Sequence, residues 1–307
     1  MRNRRVAMSL AVLASLSLVA TACGDDKDKT TESGAQSKGT LTVAGFNFTE
    51  SAILSNIYAG ALRNDGYTVN VRANLGSREV VAPALERGEV DLYLGYAATD
   101  LEFYNSGANE ATSDPKQTTD RLRARIQSKG LTALEPSRTV DQNAFGVTQA
   151  TADRLKLKKL SDVPPVASQL RLGGPPECPT RPFCAKGLED KYGIKFKTFR
   201  PLDAGGPLTK NALRNGDIEV GLLFSSDAKG FLLLEDDKGL QNADNVVPII
   251  RSDKVNENAR SVLNRVSAAL TTEALSTLND RANTNKEDPE VLAADWLRDN
   301  GFAKAKK

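Results

Sequence analysis

Hydrophobic positions recur along this chain in two alternating patterns that predict an α/β fold. Runs such as "LTVAG" (Leu41–Gly45) and "DLYLGY" (Asp91–Tyr96) are short and apolar, as buried strands are. Between them, "SAILSNIYAGAL" (Ser51–Leu62) places apolar residues at helical spacing, which indicates a helix with one buried face. Asn47 and Glu50 have the spacing of a capping box at the start of that helix. Strands that alternate with helices predict a parallel sheet covered by helices.

The same pattern occurs a second time in the chain. "ALERGEVDLYLGY" (84–96) corresponds to "ALRNGDIEVGLLF" (212–224) at an offset of 128: each is a helix end, a glycine, a strand and a final aromatic residue. Two preceding strands repeat at an offset of 129, namely 41–45 with 170–174 and 67–71 with 196–200. This internal repeat predicts two similar lobes that face one another.

The repeat also predicts how the chain is divided between the lobes. We expect the first lobe to comprise residues 39–142 and 246–304, and the second lobe residues 143–245. "NVVPIIR" (Asn245–Arg251) is an extended run suited to the return into the first lobe, and helical patterns follow it. Because ligands of such sheets bind beyond the carboxyl ends of the strands, the cleft between the lobes is the expected binding site.

Aromatic side chains stand where the predicted strands end. Five of them are candidates for a shared site: Phe46, Phe48, Tyr96, Phe199 and Phe224. Aromatic faces that converge from two lobes can hold a quaternary ammonium group. Backbone N–H groups at helix starts, with the Thr49 hydroxyl, can hold the carboxylate of a zwitterion. Any one of these phenylalanines could equally be a core residue. Four other aromatic residues are expected in the core: Tyr58, Phe103, Phe231 and Trp296.

Enzyme chemistry has little support in the sequence. The chain contains no histidine, so a Ser-His or Cys-His pair is excluded. No carboxylates are marked as an acid–base pair, and solvated or capping roles are expected for Glu50, Asp91, Asp100, Glu177 and Asp227. The glycine-containing turns match neither a P-loop nor a dinucleotide fingerprint. We therefore expect a binding protein without a catalytic site, cofactor or metal ion.

Residues 1–22 have the pattern of a secretory signal peptide: three arginines, an apolar stretch and a small-residue cleavage site. Cys23 follows in a sequence similar to a bacterial lipobox, although Ala20 stands where leucine is more usual. We expect Cys23 to be lipidated and to anchor the protein to the outer face of the cell membrane. A plain signal peptide followed by a chance cysteine is the alternative. Residues 23–38 are polar and without apolar periodicity, which predicts a disordered tether.

Charge and cysteine content narrow the range of partners. Removal of residues 1–22 changes the net charge from +2 to −1, since that segment carries three arginines and no acidic residue. No basic stripe remains, so a nucleic-acid partner is not expected. Outside the cytoplasm, Cys178 and Cys184 in "GPPECPTRPFC" are expected to form a disulfide. Metal binding is the weaker reading, because two thiolates alone do not complete a zinc site.

Five segments carry a resemblance to a known family: "GFNFTESAILSNIYAGAL", "LGSREVVAPALERGEVDLYLGYAATD", "LGGPPECPTRPFC", "FRPLDAGGPLT" and "VGLLFSSD". In this order, between Leu41 and Phe302, the chain resembles the substrate-binding proteins of osmoprotectant ABC importers for glycine betaine, carnitine and choline. The resemblance implies a two-lobed, periplasmic-binding-protein-like α/β fold (type II) with the ligand in the interlobe cleft. It also implies delivery of a small zwitterionic or cationic ligand to a membrane permease driven by a cytoplasmic ATPase. We expect the protein to act as a monomer.

The resemblance also assigns ligand-binding residues. Tyr96 and Phe224 match two positions of the family's aromatic cage, the second of which is often tyrosine. Phe46 or Phe48, with Thr49, matches the contact region of the first loop, and Phe199 is the candidate for a fourth wall. Phenylalanine keeps the π face but lacks the phenolic hydroxyl, so tight binding of betaine does not follow from the match.

Three interpretations remain at this point. The leading one is a solute-binding lipoprotein for a quaternary ammonium osmoprotectant. The second keeps the transport role but assigns another small amphipathic or aromatic ligand. The third, from a different class, is a cell-envelope enzyme or an adhesion lipoprotein, against which the cleft aromatics and the lack of histidine argue.

Overall fold

The computed structural model describes residues 37–303, so the predicted signal peptide, Cys23 and most of the predicted tether lie outside the described residues. The described chain begins with β1 (Thr40–Phe46), α1 (Thr49–Asn64), β2 (Thr68–Gly76), α2 (Arg78–Glu86), β3 (Leu92–Tyr96), α3 (Ala97–Tyr104), α4 (Pro115–Ile126) and β4 (Leu131–Ala133). It continues with β5 (Asn143–Val147), α5 (Gln149–Leu155), β6 (Arg171–Gly174), α6 (Ala185–Tyr192), β7 (Thr198–Pro201), α7 (Pro207–Arg214), β8 (Val220–Phe224) and β9 (Leu232–Leu233). It ends with β10 (Val246–Arg251), α8 (Glu257–Ala269), α9 (Thr272–Thr284) and α10 (Pro289–Asp299).

These strands form two five-stranded sheets, each the centre of one lobe. The first sheet has the order β2-β1-β3-β10-β4 and the second the order β7-β6-β8-β5-β9. We call the first sheet with its helices the first lobe and the second sheet with its helices the second lobe. The two orders correspond strand for strand, so the repeat predicted from the sequence is confirmed.

The expectation of parallel sheets is right for three strands of each sheet. β1 pairs in parallel with β2 and β3, and β6 with β7 and β8. β10 and β5 are antiparallel to their neighbours, which the sequence analysis did not predict. These are the two strands that the chain enters as it passes from one lobe to the other, so each joins its sheet from the opposite direction.

Two segments connect the lobes: residues 134–142, the first crossover, and residues 234–245, the second crossover. They run side by side, and a β-bridge joins Val140 to Asn245. A double connection of this kind leaves a cleft between the lobes and a pair of adjacent strands as the natural hinge. None of the helices described between residues 37 and 303 is long and apolar enough to cross a membrane.

The start of α1 differs from the predicted capping box. The N-cap residue is Phe48, which has no side-chain capping bond, and Asn47 does not cap the helix. The Glu50 carboxylate points into the protein instead, where it accepts hydrogen bonds from Tyr96 and Ser226. Interior partners outweigh the local bond that a capping box would have offered.

The core of the first lobe lies between its sheet and α1, α8 and α10, and Tyr58 and Trp296 belong to it as predicted. Phe103 and Phe231 are only partly buried, so the prediction for them is wrong. Phe103 lies edge-on to Tyr104, and Phe231 packs on a small cluster below Arg214. The second lobe has a smaller core of its own, which includes Cys178 and Cys184. These two cysteines form a disulfide, as predicted.

Candidate ligand-binding site

Four of the predicted aromatic residues meet where the two lobes face one another. Phe48 is the central one: its ring centroid lies 5.8 Å from Phe46, 6.2 Å from Tyr96 and 5.3 Å from Phe224. Tyr96 is the last residue of β3 and Phe224 the last residue of β8. The strand ends therefore place an aromatic side chain from each lobe against the same ring.

A cavity of about 50 Å³ adjoins this cluster, and residues of both lobes line it. We call it the aromatic cavity; its walls include Phe46, Phe48, Arg78, Tyr96, Asp141, Asn143, Cys178, Arg181, Phe224 and Asp244. The disulfide-bearing loop closes one side of it. The cavity thus lies where parallel sheets are expected to bind ligands, beyond the carboxyl ends of their strands.

Thr49 and Phe199 are not among the residues that line the aromatic cavity. Thr49 lines a neighbouring cavity of about 100 Å³, together with the glycine turn that precedes α7. Phe199 lies on the edge strand β7 opposite Leu172, a core residue of the second lobe. Since directly paired residues share one face of a sheet, the Phe199 ring packs against that core. Phe199 does not meet the other four rings in this arrangement, and its role as a fourth wall stays a prediction.

Phe46 supports the cluster more than it faces the cavity. It is 3% exposed, its ring packs edge-on against Tyr93 at 5.5 Å, and the guanidinium carbon of Arg78 lies 5.1 Å from the ring centroid. Phe48 and Phe224 are only partly buried. Contact with a ligand is therefore easier for Phe48 and Phe224 than for Phe46.

A buried ion pair fixes the end of β3, where Tyr96 lies. Arg78 Nε and Nη2 donate to the two carboxylate oxygens of Asp100, at 2.7 and 3.3 Å. Asp100 also accepts hydrogen bonds from the Tyr93 hydroxyl (2.8 Å) and from the Tyr96 N–H (2.7 Å). Asp100 is buried, so the expectation of a solvated charge is wrong for it, whereas its bond to the N–H of Tyr96, the N-cap residue of α3, is a capping contact. Its role is to hold the backbone that presents the Tyr96 ring.

Glu50 connects the two lobes behind the aromatic cluster. It is 4% exposed and accepts hydrogen bonds from the Tyr96 hydroxyl (2.7 Å), the Ser226 hydroxyl (2.8 Å) and the Asn279 amide. Burial raises the pKa of Glu50, and the hydrogen bond from Tyr96 opposes that rise. Because Glu50 is buried, the expectation of a solvated charge is wrong here too. Ser226 belongs to the second lobe and Tyr96 and Asn279 to the first, so the hydrogen bonds of Glu50 join the two lobes.

An ion pair at the cavity rim also joins the lobes. Arg181, in the loop closed by the disulfide, binds Glu79 of α2 at 2.8 Å and Glu177 at 3.1 Å. Partial burial alone would raise the pKa of Glu79, but the hydrogen bonds from Arg181 and Ser77 lower it to about 2. The disulfide therefore positions a cation across the cleft from α2.

Several polar residues of the aromatic cavity were not found by sequence reasoning, among them Asp141, Asn143 and Asp244. Asp141 and Asp244 lie on the two crossovers, and Asn143 is the first residue of β5. Thr99 donates its N–H and its hydroxyl to Asp244. Burial raises the pKa of Asp244 to about 6. No motif marks these residues, because the crossovers have no apolar periodicity and the glycine of the second crossover, Gly239, lies several residues before Asp244.

Two lobes, each a helix-covered sheet, with a double connection and an aromatic cavity between them, define a bilobed solute-binding protein. The chain belongs to the family described as the substrate binding domain of the ABC-type glycine betaine transport system, whose family model matches residues 39–299. This is a family of transport proteins and not a class of enzymes.

Individual relatives agree with this assignment. The chain is 28% identical over 278 residues to the glycine-betaine-binding protein of Pseudomonas aeruginosa, covering 85% of this chain and 88% of the relative. It is 27% identical over 283 residues to the carnitine transport binding protein OpuCC of Listeria monocytogenes, covering 89% and 91%. A crystal structure of a glycine betaine/carnitine/choline ABC transporter protein superimposes with a TM-score of 0.66 at 24% identity, covering 85% of this chain and 99% of that one. The structural match confirms the two-lobed fold.

Proposed function

We propose that this protein captures a small quaternary ammonium solute, such as glycine betaine, choline or carnitine, and delivers it to an ABC permease. One observation carries the proposal: Phe48 of the first lobe lies against both Tyr96 and Phe224, so rings from both lobes border one cavity. Membership of the glycine betaine transport family supports the transport role. The names of the relatives support the ligand class.

The chemistry of the cavity suits a trimethylammonium group. The methyl groups of such a ligand pack against the aromatic faces. The cation–π attraction between its positive charge and each ring contributes about 0.5–2 kcal/mol when water is excluded. The ligand-binding residues we propose are Phe46, Phe48, Tyr96 and Phe224. Thr49 lines the neighbouring cavity, so it would contact only a ligand that extends into that cavity.

A second candidate keeps the transport role with another small amphipathic or aromatic ligand. A cavity of about 270 Å³ adjoins the aromatic cavity and shares Arg78, Asn143 and Arg181 with it. Phe103 and Phe183 are among its walls. A molecule longer than glycine betaine could extend into this space.

Calorimetric titration of the purified protein with glycine betaine, choline, carnitine, proline and phenolic compounds tests both candidates. We expect saturable binding of at least one of the three quaternary ammonium compounds. Binding of a phenolic compound alone would favour the second candidate. A turnover assay on bound compounds addresses the remaining alternative, an envelope enzyme.

The location we propose is the extracytoplasmic face of the cell membrane, with lipidated Cys23 as the anchor and residues 23–38 as the tether. The signal-like pattern of residues 1–22 and the family's role in import support it. Cys23→Ala should release the protein into the soluble extracytoplasmic fraction, and a variant that still sediments with membranes would rule out this anchor. We propose a monomer as the acting form, which light scattering of the purified protein checks.

A further inference from the structure

Two buried carboxyl groups, those of Glu50 and Asp141, are hydrogen-bonded to each other behind the aromatic cluster. The two residues are 4% and 2% exposed. An ionised carboxylate has only acceptor oxygens, so a hydrogen bond between two carboxyl groups requires a proton on one of them. The pair is therefore one carboxylic acid and one carboxylate.

The neighbouring donors indicate which residue carries that proton. Oε1 of Glu50 accepts a hydrogen bond from the Tyr96 hydroxyl at 2.7 Å. Oε2 of Glu50 accepts from the Ser226 hydroxyl at 2.8 Å and from the Asn279 amide. Oδ1 of Asp141 accepts from the Ser226 N–H at 2.9 Å, whereas no donor reaches its Oδ2 among residues 37–303. Since hydrogen bonds from donors stabilise the charged form, Glu50 is the carboxylate, and Asp141 is the acid that donates through Oδ2.

This carboxyl contact crosses from one lobe to the other. Glu50 lies on α1 of the first lobe. Asp141 lies at the end of the first crossover that adjoins the second lobe, where its Oδ1 binds the N–H of Ser226. The next residue, Gln142, exchanges hydrogen bonds with Ser225 and so extends the pairing of β5 with β8. Separation of the lobes would therefore part the two carboxyl groups.

The charged groups around the pair are themselves engaged. The titratable groups on the neighbouring elements are Tyr96 of β3, Arg78 of α2, Asp244 of the second crossover, Lys210 of α7, Asp227 beyond β8 and Asp280 of α9. The two basic ones have partners already, Arg78 in Asp100 and Lys210 in Asp227. Neither would offset a second negative charge on the pair, so ionisation of both carboxyl groups in this place is costly.

The protonation of the pair follows from this environment. Burial raises the pKa of Asp141 well above its ordinary value, and the charge of Glu50 raises it further. Burial also raises the pKa of Glu50, but the hydrogen bonds from its donors, that of Tyr96 foremost, lower it. Burial raises the pKa of Tyr96 as well, so its hydroxyl remains a donor to Glu50.

We propose that Asp141 is a positioning residue that bears a proton: as the neutral acid it donates to Glu50 across the lobe boundary and holds the lobes in the arrangement described, which we call the closed arrangement. The proton comes from solvent when the lobes close and returns to solvent when they part. This inference deepens the proposed function, on which it rests for the ligand that reports closure. It concerns how the cleft closes and leaves the identity of the ligand open.

The dependence on pH has a definite sign. When the lobes part, Asp141 regains water and loses the neighbouring charge of Glu50, so its pKa falls back towards the ordinary value. Closure therefore takes up a proton. Its contribution to closure is fully present below the pKa of the open arrangement and is lost as the pH rises through the pKa of the closed one. Between these two values, the affinity for a ligand of the closed arrangement falls by up to about tenfold per pH unit.

Titration calorimetry measures ligand affinity and proton uptake together. The probes are glycine betaine and choline, at pH 6, 7.5 and 9, in buffers of different ionisation enthalpy. Neither probe titrates in this range, so any proton taken up belongs to the protein. We expect the affinity of the wild type to fall by about 10-fold between pH 7.5 and pH 9, with uptake of up to about one proton per ligand bound at pH 7.5.

Asp141→Asn imitates the neutral acid, since its amide N–H donates to Glu50 while its oxygen still accepts from the Ser226 N–H. At pH 9 this variant should bind at least as tightly as the wild type does at pH 7.5, without pH dependence or proton uptake above pH 7.5. Burial raises the pKa of Asp244 to about 6, so Asp244 is ionised above pH 7.5 and Asp244→Asn should keep the wild-type fall. Asp190→Asn, an equal change of charge on the exposed face of α6, should bind and titrate as the wild type does.

Infrared spectroscopy reports the proton directly, because a carboxylic acid and a carboxylate absorb at different frequencies. At pH 7.5 the wild type should show the band of a buried carboxylic acid, which weakens as the pH rises. Asp141→Asn should lack this band, since Glu50 is the carboxylate of the pair.

Each outcome decides the matter. If the wild-type affinity is constant above pH 7.5, or Asp141→Asn weakens binding equally at every pH, Asp141 has only a structural role and the inference fails while the proposed function stands. If neither probe binds, the proposed function fails, and the infrared band decides the inference: its absence from the wild type overturns it. Should Asp141→Asn not fold by circular dichroism, the wild-type pH profile and proton uptake still decide, because neither requires the variant.

Discussion

Tyr96 and Phe224 occupy the same place in the two lobes. Each ends the third parallel strand of its sheet, and each is paired in register with the crossover strand beside it, Tyr96 with Val246 and Phe224 with Asn143. Their surroundings differ, because Tyr96 is 5% exposed with its hydroxyl bonded to Glu50, whereas Phe224 is partly buried without such a bond. Tyr96 is therefore the more firmly held side chain of the site, and Phe224 the more exposed one.

Replacement of either residue by alanine should therefore weaken ligand binding. Tyr96→Ala and Phe224→Ala each remove one cation–π face and leave space beside the ligand, at an expected cost of about 1–3 kcal/mol, or roughly 5- to 150-fold in affinity. Phe224→Tyr keeps the π face, so affinity should be maintained or should rise if the new hydroxyl finds a partner. Calorimetry with the best ligand of the screen measures these changes.

Phe199→Ala is the matched control for these variants, since its ring packs on the second-lobe core and does not line the aromatic cavity. It should lower the melting temperature and leave ligand affinity nearly unchanged. If Tyr96→Ala and Phe224→Ala fold and bind as the wild type does, the two residues are core or surface residues. A large loss for Phe199→Ala would instead restore it as the fourth wall.

Asp244 should give a pH-dependent change in stability. Burial raises its pKa to about 6, above the ordinary value of 3.8, so the folded state binds its proton more tightly than the unfolded state. The stability that this group contributes is present below pH 4 and is lost as the pH rises through 6. Asp244→Asn has no charge to bury, so it should be more stable than the wild type at pH 7.5, by up to about 2–3 kcal/mol, and closer to it at pH 4. Urea unfolding at both pH values tests this, and an equal difference at the two would contradict it.

At the scale of single elements, the loop closed by Cys178–Cys184 and the start of α2 form a latch across the cleft. The latch consists of Arg181 and Glu79, whose side chains are 23% and 42% exposed. An ion pair as exposed as this contributes at most about 1 kcal/mol and is screened by salt. The Arg181–Glu79 ion pair therefore favours the closed arrangement of the lobes and adds little to the stability of either lobe.

Glu79→Gln should accordingly weaken ligand binding by no more than about fivefold and leave thermal stability nearly unchanged. The effect should be larger at 20 mM salt than at 500 mM salt, because screening removes the wild-type advantage. Glu89→Gln is the matched control, since Glu89 pairs only with the exposed Arg87, away from the cleft. A loss of affinity that is independent of salt would show that Glu79 acts through packing and not through its charge.

Local patterns predicted the elements well, and they failed where a distant partner decides the outcome. Hydrophobic runs and glycines mark β1, β3, β6 and β8 in the sequence, so Tyr96 and Phe224 could be placed at strand ends. The direction of β5 and β10 could not be predicted, because a buried strand has the same composition in a parallel and an antiparallel pair. Glu50 met the spacing rule of a capping box, yet partners 46 to 229 residues away hold it. Asp141 and Asp244 carry no pattern at all.

At the scale of the whole molecule, side-chain contacts as well as the crossovers hold the lobes together. At the cleft they include the Phe48–Phe224 contact, the bond between Glu50 and Ser226, and the Arg181–Glu79 latch. Lys229 with Asp280 and Asp227 with Asn283 join the second lobe to α9 of the first lobe. These contacts are between side chains of different lobes, so they can break without unfolding either lobe. A ligand that contacts both Tyr96 and Phe224 adds to them only in the closed arrangement, and by linkage it shifts the population towards closure.

Spin labels on exposed residues of the two lobes should detect this shift. Val80 of α2 and Leu208 of α7 are 46% and 61% exposed, so cysteine replacements there can carry labels without disturbing either core. Electron–electron distance measurements should show a broad or longer distance without ligand and a shorter, narrower one at saturating ligand. The control pair, Val80 with Val291 of α10, lies within the first lobe and should give the same distance in both conditions. If calorimetry shows binding while the Val80–Leu208 distance stays constant, the ligand occupies an already closed cleft, and hinge closure has no part in its capture.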